Sequence, residues 1–355
     1  MRKTSIVIAA LVVALLIAGA AFALLPGTAS GPGDAASGDG ASPTSGPPEP
    51  TAAGPLRDLP PIVFASNAPG SYELFATGPG GGDPVPLRGG PAMYPSWAPD
   101  GSALVYVGET TGQDAHAGDP GGTDPHGHPA AAGHRPELRR ISTDGAVEPL
   151  FRGTQVPSHP SIRAGDRSVA FQSTLLQLAE VAGSTGLSSI EAFDPRDGRR
   201  RTLVEHRGAA YQPAWSPEGD QLAVVLGDPG CRSRRPCPQR LAVWSPETRT
   251  SRTVVRSGAA AAPAWSPDGG TIAFTWDRGD GPSVWTLDVA TGARERLTRG
   301  PGGDAEPTWS PDGTAIAYMR GCDIHLQRVA GRQAVNLTRS PRTCEISPAW
   351  RPAAR

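Results

Sequence analysis

Lysine is almost absent from this chain: of 33 basic residues only Lys3 is not an arginine. Read with the surplus of alanine, glycine and proline, this is a genome-level compositional bias and carries no functional meaning. A net-basic stripe is missing as well. The formal charge is −1, from 33 basic and 34 acidic residues. That argues against nucleic acid as a main partner, because binding to phosphate backbones normally leaves such a stripe. The 355 residues hold no G-x-S-x-G elbow, so a serine hydrolase of the nucleophile-elbow kind is not expected. Cysteine is confined to Cys231, Cys237, Cys322 and Cys344. No spacing among them is C-x2-C and no histidine sits beside either pair, so the pattern reads as disulfides rather than zinc.

Long hydrophobic runs are also scarce, with one at the N-terminus. Arg2 and Lys3 precede the small and apolar run Ile6–Leu25. A positive start followed by an apolar segment is an export signal whose charged end stays in the cytoplasm. At helical rise such a run reaches about 30 Å, enough to cross the hydrocarbon core. The expectation is an anchor at 1–25 with the remainder outside the cytoplasm. The alternative is a cleaved signal and a secreted or periplasmic protein, with small-residue sites ending at Ala23 and Ala29. Residues 26–58 are Gly, Ala, Ser, Pro and Thr with almost nothing to bury, and read as a flexible linker. The folded domain is expected over 59–355.

That domain repeats one pattern. "APAWSPDGGTIAFT" begins at Ala262, and related copies begin at Tyr94, Tyr211 and Glu306. A worn copy starts at His159, with Ile162 in place of tryptophan, and a last fragment, "SPAWRP", starts at Ser347. Each full copy reads as four short strands: apolar alternation in "TIAF" and "VWTLDV" has the period of a half-buried strand. In "SPDG" the proline presets its dihedral, the aspartate bonds nearby backbone and the glycine takes the positive dihedral. The structural residues are therefore Trp97, Trp215, Trp265, Trp309 and Trp350 as plugs between neighbouring sheets, Asp100, Asp268 and Asp312 in the turns, and Gly101, Gly219, Gly269 and Gly313 closing them. A hydrolase built on Ser266 would need a base, and no histidine accompanies the motif in any copy.

"PAWSPDGGTIAF" and "PTWSPDGTAIAY" resemble the TolB-type β-propeller repeat, a relative of the WD-type and PD40 blades. The resemblance extends from about Pro61 to Pro352 and implies an all-β, six-bladed propeller. Blade one lacks a first strand, and the C-terminal "ISPAWRP" is a first strand with nothing after it. The C-terminal strand is therefore expected to complete blade one and close the ring. The TolB family carries a folded domain before its propeller, whereas here the linker leads directly into blade one. Partners that depend on that domain, the Tol–Pal system among them, are not implied.

In such a meander, first-to-second and third-to-fourth turns share one face, which here is uniformly tight. The insertions Gly108–Arg135, Ser173–Ser188 and Gly227–Gln239 fall on the other face, as do the cysteines. That placement pairs Cys231 with Cys237 and Cys322 with Cys344. Binding residues usually ride on loops held by a rigid scaffold, so the insertion face is the expected working surface. The first insertion carries His116, His126, His128 and His134, candidate metal ligands whose spacing matches no specific motif; the plainer reading is a solvated polar loop. The remaining histidines, His159, His206 and His325, show no acidic partner pattern. The expected function is a monomeric, cofactor-free binding scaffold for a protein or envelope component, with no enzymatic activity. The rivals are a lyase, lactonase or glycosidase with its site in the central funnel, and a small-ligand sensor.

Overall fold

The computed structural model describes residues 55–67, 71–88, 90–109, 136–151, 156–174, 188–228, 238–300 and 303–353. The apolar N-terminal run, the four histidines of the first insertion, and Cys231 with Cys237 lie outside these residues. No helix among the described residues is long and apolar enough to cross a membrane.

Alternating apolar residues and tight turns produce twenty-four strands among the described residues. Blade one supplies β1 (Ile62–Ser66), β2 (Glu73–Thr77) and β3 (Val85–Arg88). Blade two follows with β4 (Ala92–Trp97), β5 (Ala103–Glu109), β6 (Pro136–Ser142) and β7 (Val147–Phe151). Blade three is β8 (Val156–Ile162), β9 (Val169–Thr174), β10 (Ser188–Phe193) and β11 (Arg200–Val204). Blade four is β12 (Ala210–Trp215), β13 (Leu222–Gly227), β14 (Gln239–Ser245) and β15 (Thr250–Val255). Blade five holds β16 (Ala259–Trp265), β17 (Thr271–Asp277), β18 (Pro282–Asp288) and β19 (Arg294–Arg296). Blade six holds β20 (Asp304–Trp309), β21 (Ala315–Arg320), β22 (Asp323–Arg328) and β23 (Ala334–Asn336), and β24 (Glu345–Trp350) ends the series.

Strand β24 pairs antiparallel with β1, matching Ile62 to Trp350 and Ser66 to Glu345, so the last strand completes the first blade. The sheets are then six four-stranded meanders, those of blades four and five being joined by a single parallel bridge between Gln239 and Ala259. The first strand of each blade contacts the first strand of the next, in the order β4, β8, β12, β16, β20, β24 and back to β4. This is a closed ring. A disulfide between Cys322 and Cys344, 22 residues apart, staples the approach to the closing strand. A loop of that length is stabilised by about 3 kcal/mol on the chain-entropy argument. The packed region also reaches into the segment read as linker: Leu56 is buried, donates its N–H to Thr143 O and accepts from Arg351 Nη1. A single leucine in a polar run gives the sequence little signal, but here it has a pocket between the chain ends and blade two.

The tryptophans sit between blades. Trp97 Nε1 donates to Ala349 O, Trp265 Nε1 to Ala214 O and Trp309 Nε1 to Ala264 O, each acceptor preceding the tryptophan of the adjacent blade. Trp215 faces the worn blade, where Ile162 replaces tryptophan, and its indole N–H is buried without a partner. Arg163 lies over that indole instead, 4.9 Å from its centroid.

The turn glycines differ in their surroundings. Gly219 and Gly269 both have positive φ, 73° and 71°. A Cβ on Gly219 would meet Arg163 Cγ at 2.9 Å and Ala164 O at 3.1 Å, whereas on Gly269 it would meet only Pro217 Cδ, at 3.8 Å. Gly269→Ala should therefore lose about 1–2 kcal/mol, the left-handed penalty alone. Gly219→Ala should lose more, because the turn of blade three must also shift. Equilibrium denaturation of the two variants checks this; equal losses would mean that the blade-three contact yields freely.

Candidate functional site

Each innermost strand carries a proline in the same place, three residues into the repeat from the turn side: Tyr94-Pro95, His159-Pro160, Gln212-Pro213, Ala262-Pro263, Glu306-Pro307 and Ser347-Pro348. The residue before each proline has φ between 46° and 55°. Steric conflict with the following ring disfavours helical dihedrals before proline, and a non-glycine residue there is rarely left-handed. The pairing registers shift at these points, for example between Met93 and Ser96 and between Ala305 and Thr308. Every innermost strand thus bulges once, and strained backbone of about 1–3 kcal/mol per residue is held by the blades around it.

The bulges bring Tyr94, His159, Gln212, Ala262, Glu306 and Ser347 together around the central channel, where they and their prolines line a cavity of about 300 Å³. Its wall continues along Trp97, Trp215, Trp265 and Trp350 to Pro99, Pro217 and Pro352. The cavity therefore opens on the face of tight turns, opposite the face that carries the insertions.

Polar side chains of this ring bond the bulge amide of the following blade. Gln212 Oε1 accepts from Ala262 N–H at 2.8 Å, and Glu306 Oε2 accepts from Ser347 N–H at 2.6 Å. Gln212 Nε2 lies 3.4 Å from His159 Nε2, and the His159 ring packs on Tyr94 with centroids 4.1 Å apart. Bulge amides are also met from second strands: Glu306 N–H donates to Thr275 Oγ1 and Gln212 N–H to Gln172 Oε1. Left over are Glu306 Oε1, Ser347 Oγ and His159 Nδ1, buried with no hydrogen-bond partner.

Electrostatics follow burial. Desolvation raises the Glu306 carboxyl above the ordinary carboxylate range, opposed by the hydrogen bond from the Ser347 N–H. Desolvation pushes the Tyr94 phenol up, helped by the Glu306 charge, and drives Tyr72 up to about 12. Burial lowers His159 to about 4, so the ring is neutral at pH 7. A carboxyl with a raised folded-state pKa adds stability that is full at low pH and lost as pH climbs through that raised value. Glu306→Gln should accordingly raise the unfolding temperature at pH 7, with the gain shrinking as pH falls toward the ordinary carboxylate range. The depressed His159 acts in the opposite sense: its contribution is lost as pH falls from about 6.5 through about 4. Thermal scans from pH 4 to 8 check both, and a Glu306→Gln gain that is flat with pH would contradict the burial argument.

The turn residues are occupied by local bonding. Ser266 Oγ donates to Asp268 at 2.5 Å and accepts from Thr271 N–H, while Gly270 N–H also donates to Asp268. Ser310 and Asp312 repeat the arrangement at 2.6 Å, and Asp100 takes Ser102 in the copy that has Ala98. In blade four, where Glu218 occupies the aspartate position, Ser216 Oγ reaches Asp220 instead, at 2.6 Å. The hydrogen bond from Ser266 holds Asp268 below its usual range. These serines and carboxylates are held in hairpin geometry and leave no hydroxyl aimed at a base.

His159 lies on the channel, His206 Nε2 approaches Gly227 O at 3.1 Å on a connection, and His325 packs near Tyr318 on blade six. The structure does not bring these three together. Among the described residues no group of three or more His, Cys, Asp and Glu could hold a metal ion. What the sequence reading missed is the residue before each proline. Its signal was present: inside an otherwise fixed frame, that position is Tyr, His, Gln, Ala, Glu and Ser in turn.

A closed ring of blades around a polar channel defines a β-propeller. Residues 238–352 match the TolB beta propeller domain. Among solved structures, TolB from Acinetobacter baumannii is similar at 18% identity, covering 82% of this chain and 66% of that one, with a TM-score of 0.62. The putative TolB from Agrobacterium tumefaciens is similar at 16% identity, over 82% of this chain and 99% of that one, with a TM-score of 0.53. An oligogalacturonate lyase in complex with manganese also aligns, at 12% identity over 82% of this chain and 77% of that one, with a TM-score of 0.53. At these identities the likeness is one of fold. A search of curated proteins finds no match.

Proposed function

We propose that the protein is an exported, membrane-anchored propeller that binds a protein or envelope component and is not an enzyme. One observation carries this reading. The three insertions leave from paired strand ends, Glu109 with Pro136, Thr174 with Ser188 and Gly227 with Gln239, at the same end of three consecutive blades. A closed ring gives them one rigid base, and loops on a rigid base are where recognition usually resides. The disulfide between Cys322 and Cys344 fits an oxidising compartment, which supports export. The serines and carboxylates of the repeat are consumed by turns, which speaks against a catalytic role for the motif.

The test is capture of partners from the native envelope by the full chain, compared with chains in which residues 110–135 or 175–187, the parts of the insertions outside the paired strand ends, are cut to a tight turn. Both shortened proteins should fold and capture less. Chelator added to the same assay should have no effect; if it abolishes capture, His116, His126, His128 and His134 hold an ion. Undiminished capture by both shortened chains would place recognition elsewhere, and turnover of a polyuronide by the parent would favour the lyase reading.

A further inference from the structure

The channel cavity is independent of the insertion face and of any partner bound there. Its floor is chemically lopsided. Glu306 is the one acid of the six-residue ring, whose other members are His159, neutral at pH 7, and Tyr, Gln, Ala and Ser. Only 8% of Glu306 is exposed, one of its oxygens is bonded to Ser347 N–H, and the other is buried without a partner. Next to it in the ring stands Ser347, whose hydroxyl is also unpartnered, and then Tyr94. An ionised carboxylate only accepts hydrogen bonds, and a serine hydroxyl accepts as readily as it donates. What this floor needs is a positive, slender group with several N–H donors.

We propose that the channel cavity binds the ammonium head of an alkylamine, with Glu306 as counter-ion and Ser347 as a second acceptor. An ammonium group has three donors and no acceptor, which matches the unpartnered atoms. The alkyl stem lies against the collar of six prolines and the ring of Tyr94, an apolar wall suited to methylenes. An anion would face the Glu306 charge, and a quaternary ammonium would leave the buried oxygen without a donor. Keeping a carboxylate buried and unpaired opposes folding, and groups held at such a disadvantage cluster at binding sites. Two sources present the same chemistry: a free small amine, or a lysine side chain of a docked protein.

The experiment is calorimetric titration of the full chain at pH 7.5 with n-butylammonium, with 1-pentanol as the uncharged counterpart. Butylammonium should bind and pentanol should bind at least tenfold more weakly. Glu306→Gln should weaken butylammonium at least tenfold while leaving the protein folded, and Ala262→Leu, which fills the cavity and keeps the carboxylate, should do the same. A blocked Gly-Lys-Gly peptide separates the sources: binding as tight as butylammonium assigns a lysine side chain, and no binding assigns a free amine. No binding of butylammonium to the parent, equal binding of pentanol, or unchanged binding by Glu306→Gln would each overturn the proposal.

Discussion

Removing the chain from Ser347 onward should leave a protein that no longer folds cooperatively. The segment carries Trp350, which pairs with Ile62 and packs on the Ile62, Phe64, Ala317, Ile324 and Leu337 cluster. It also carries Ala349 O, the acceptor for Trp97 Nε1, and Arg351, which reaches Leu56 O. Trp350 N–H donates to Thr308 Oγ1 and Ser347 N–H to Glu306. Blades one, two and six all lose contacts at once. Trp350 is partly buried, so its loss removes a part of the about 3–5 kcal/mol of a fully buried aromatic, and a domain has about 5–15 kcal/mol in total. Deletion also leaves β1 as an open inner edge, a template for aggregation. Circular dichroism melting and size exclusion would show a broad, early transition and larger species. A sharp transition at the parent temperature would mean that β24 does not close the ring.

The second large effect is expected at Trp265. Its indole is 8% exposed, donates to Ala214 O at 2.9 Å and packs with Leu241, Ile272, Phe274 and Leu287 in the core between blades four and five. Trp265→Ala should lose about 3–5 kcal/mol, the transfer and cavity contributions of a large core residue. Phenylalanine separates packing from hydrogen bonding. Trp265→Phe gives up the bond to Ala214, a net loss of about 1 kcal/mol beyond the smaller ring. Trp215→Phe gives up none, because the Trp215 indole N–H has no partner. Urea titrations should therefore rank Trp265→Ala as the worst, then Trp265→Phe, then Trp215→Phe. A Trp215→Phe loss as large as that of Trp265→Phe would show that the indole bond contributes nothing.

Only the disulfide near the closing strand lies among the described residues, and its position illustrates how far local reasoning reached. Cys322 sits in the turn between β21 and β22 and Cys344 just before β24, so strand assignment alone was enough to place both at one end of the ring. The same assignment, however, led attention to the insertion face. The channel cavity lies on the opposite side, beside turns that looked too short to form anything.

The all-β propeller arrangement and its closure were determined by the sequence, because turn chemistry and apolar alternation act within a few residues. Asp268 bonds Gly270, Gly269 adopts its positive φ, and β17 alternates, whatever the rest of the chain does. The complementary deficits at the two ends then left one way to finish blade one. The channel was decided only by tertiary structure. Taken locally, the residue before a proline prefers extended backbone, and nothing near Tyr94, His159, Glu306 or Ser347 in sequence indicates a bulge toward a common axis. Their left-handed backbone is sustained by amide bonds from other blades and second strands, such as Ser347 N–H to Glu306 and Glu306 N–H to Thr275, which exist only once the ring has closed. The burial that raises the Glu306 carboxyl and lowers His159 has the same origin, since each is shielded by strands far away in the chain.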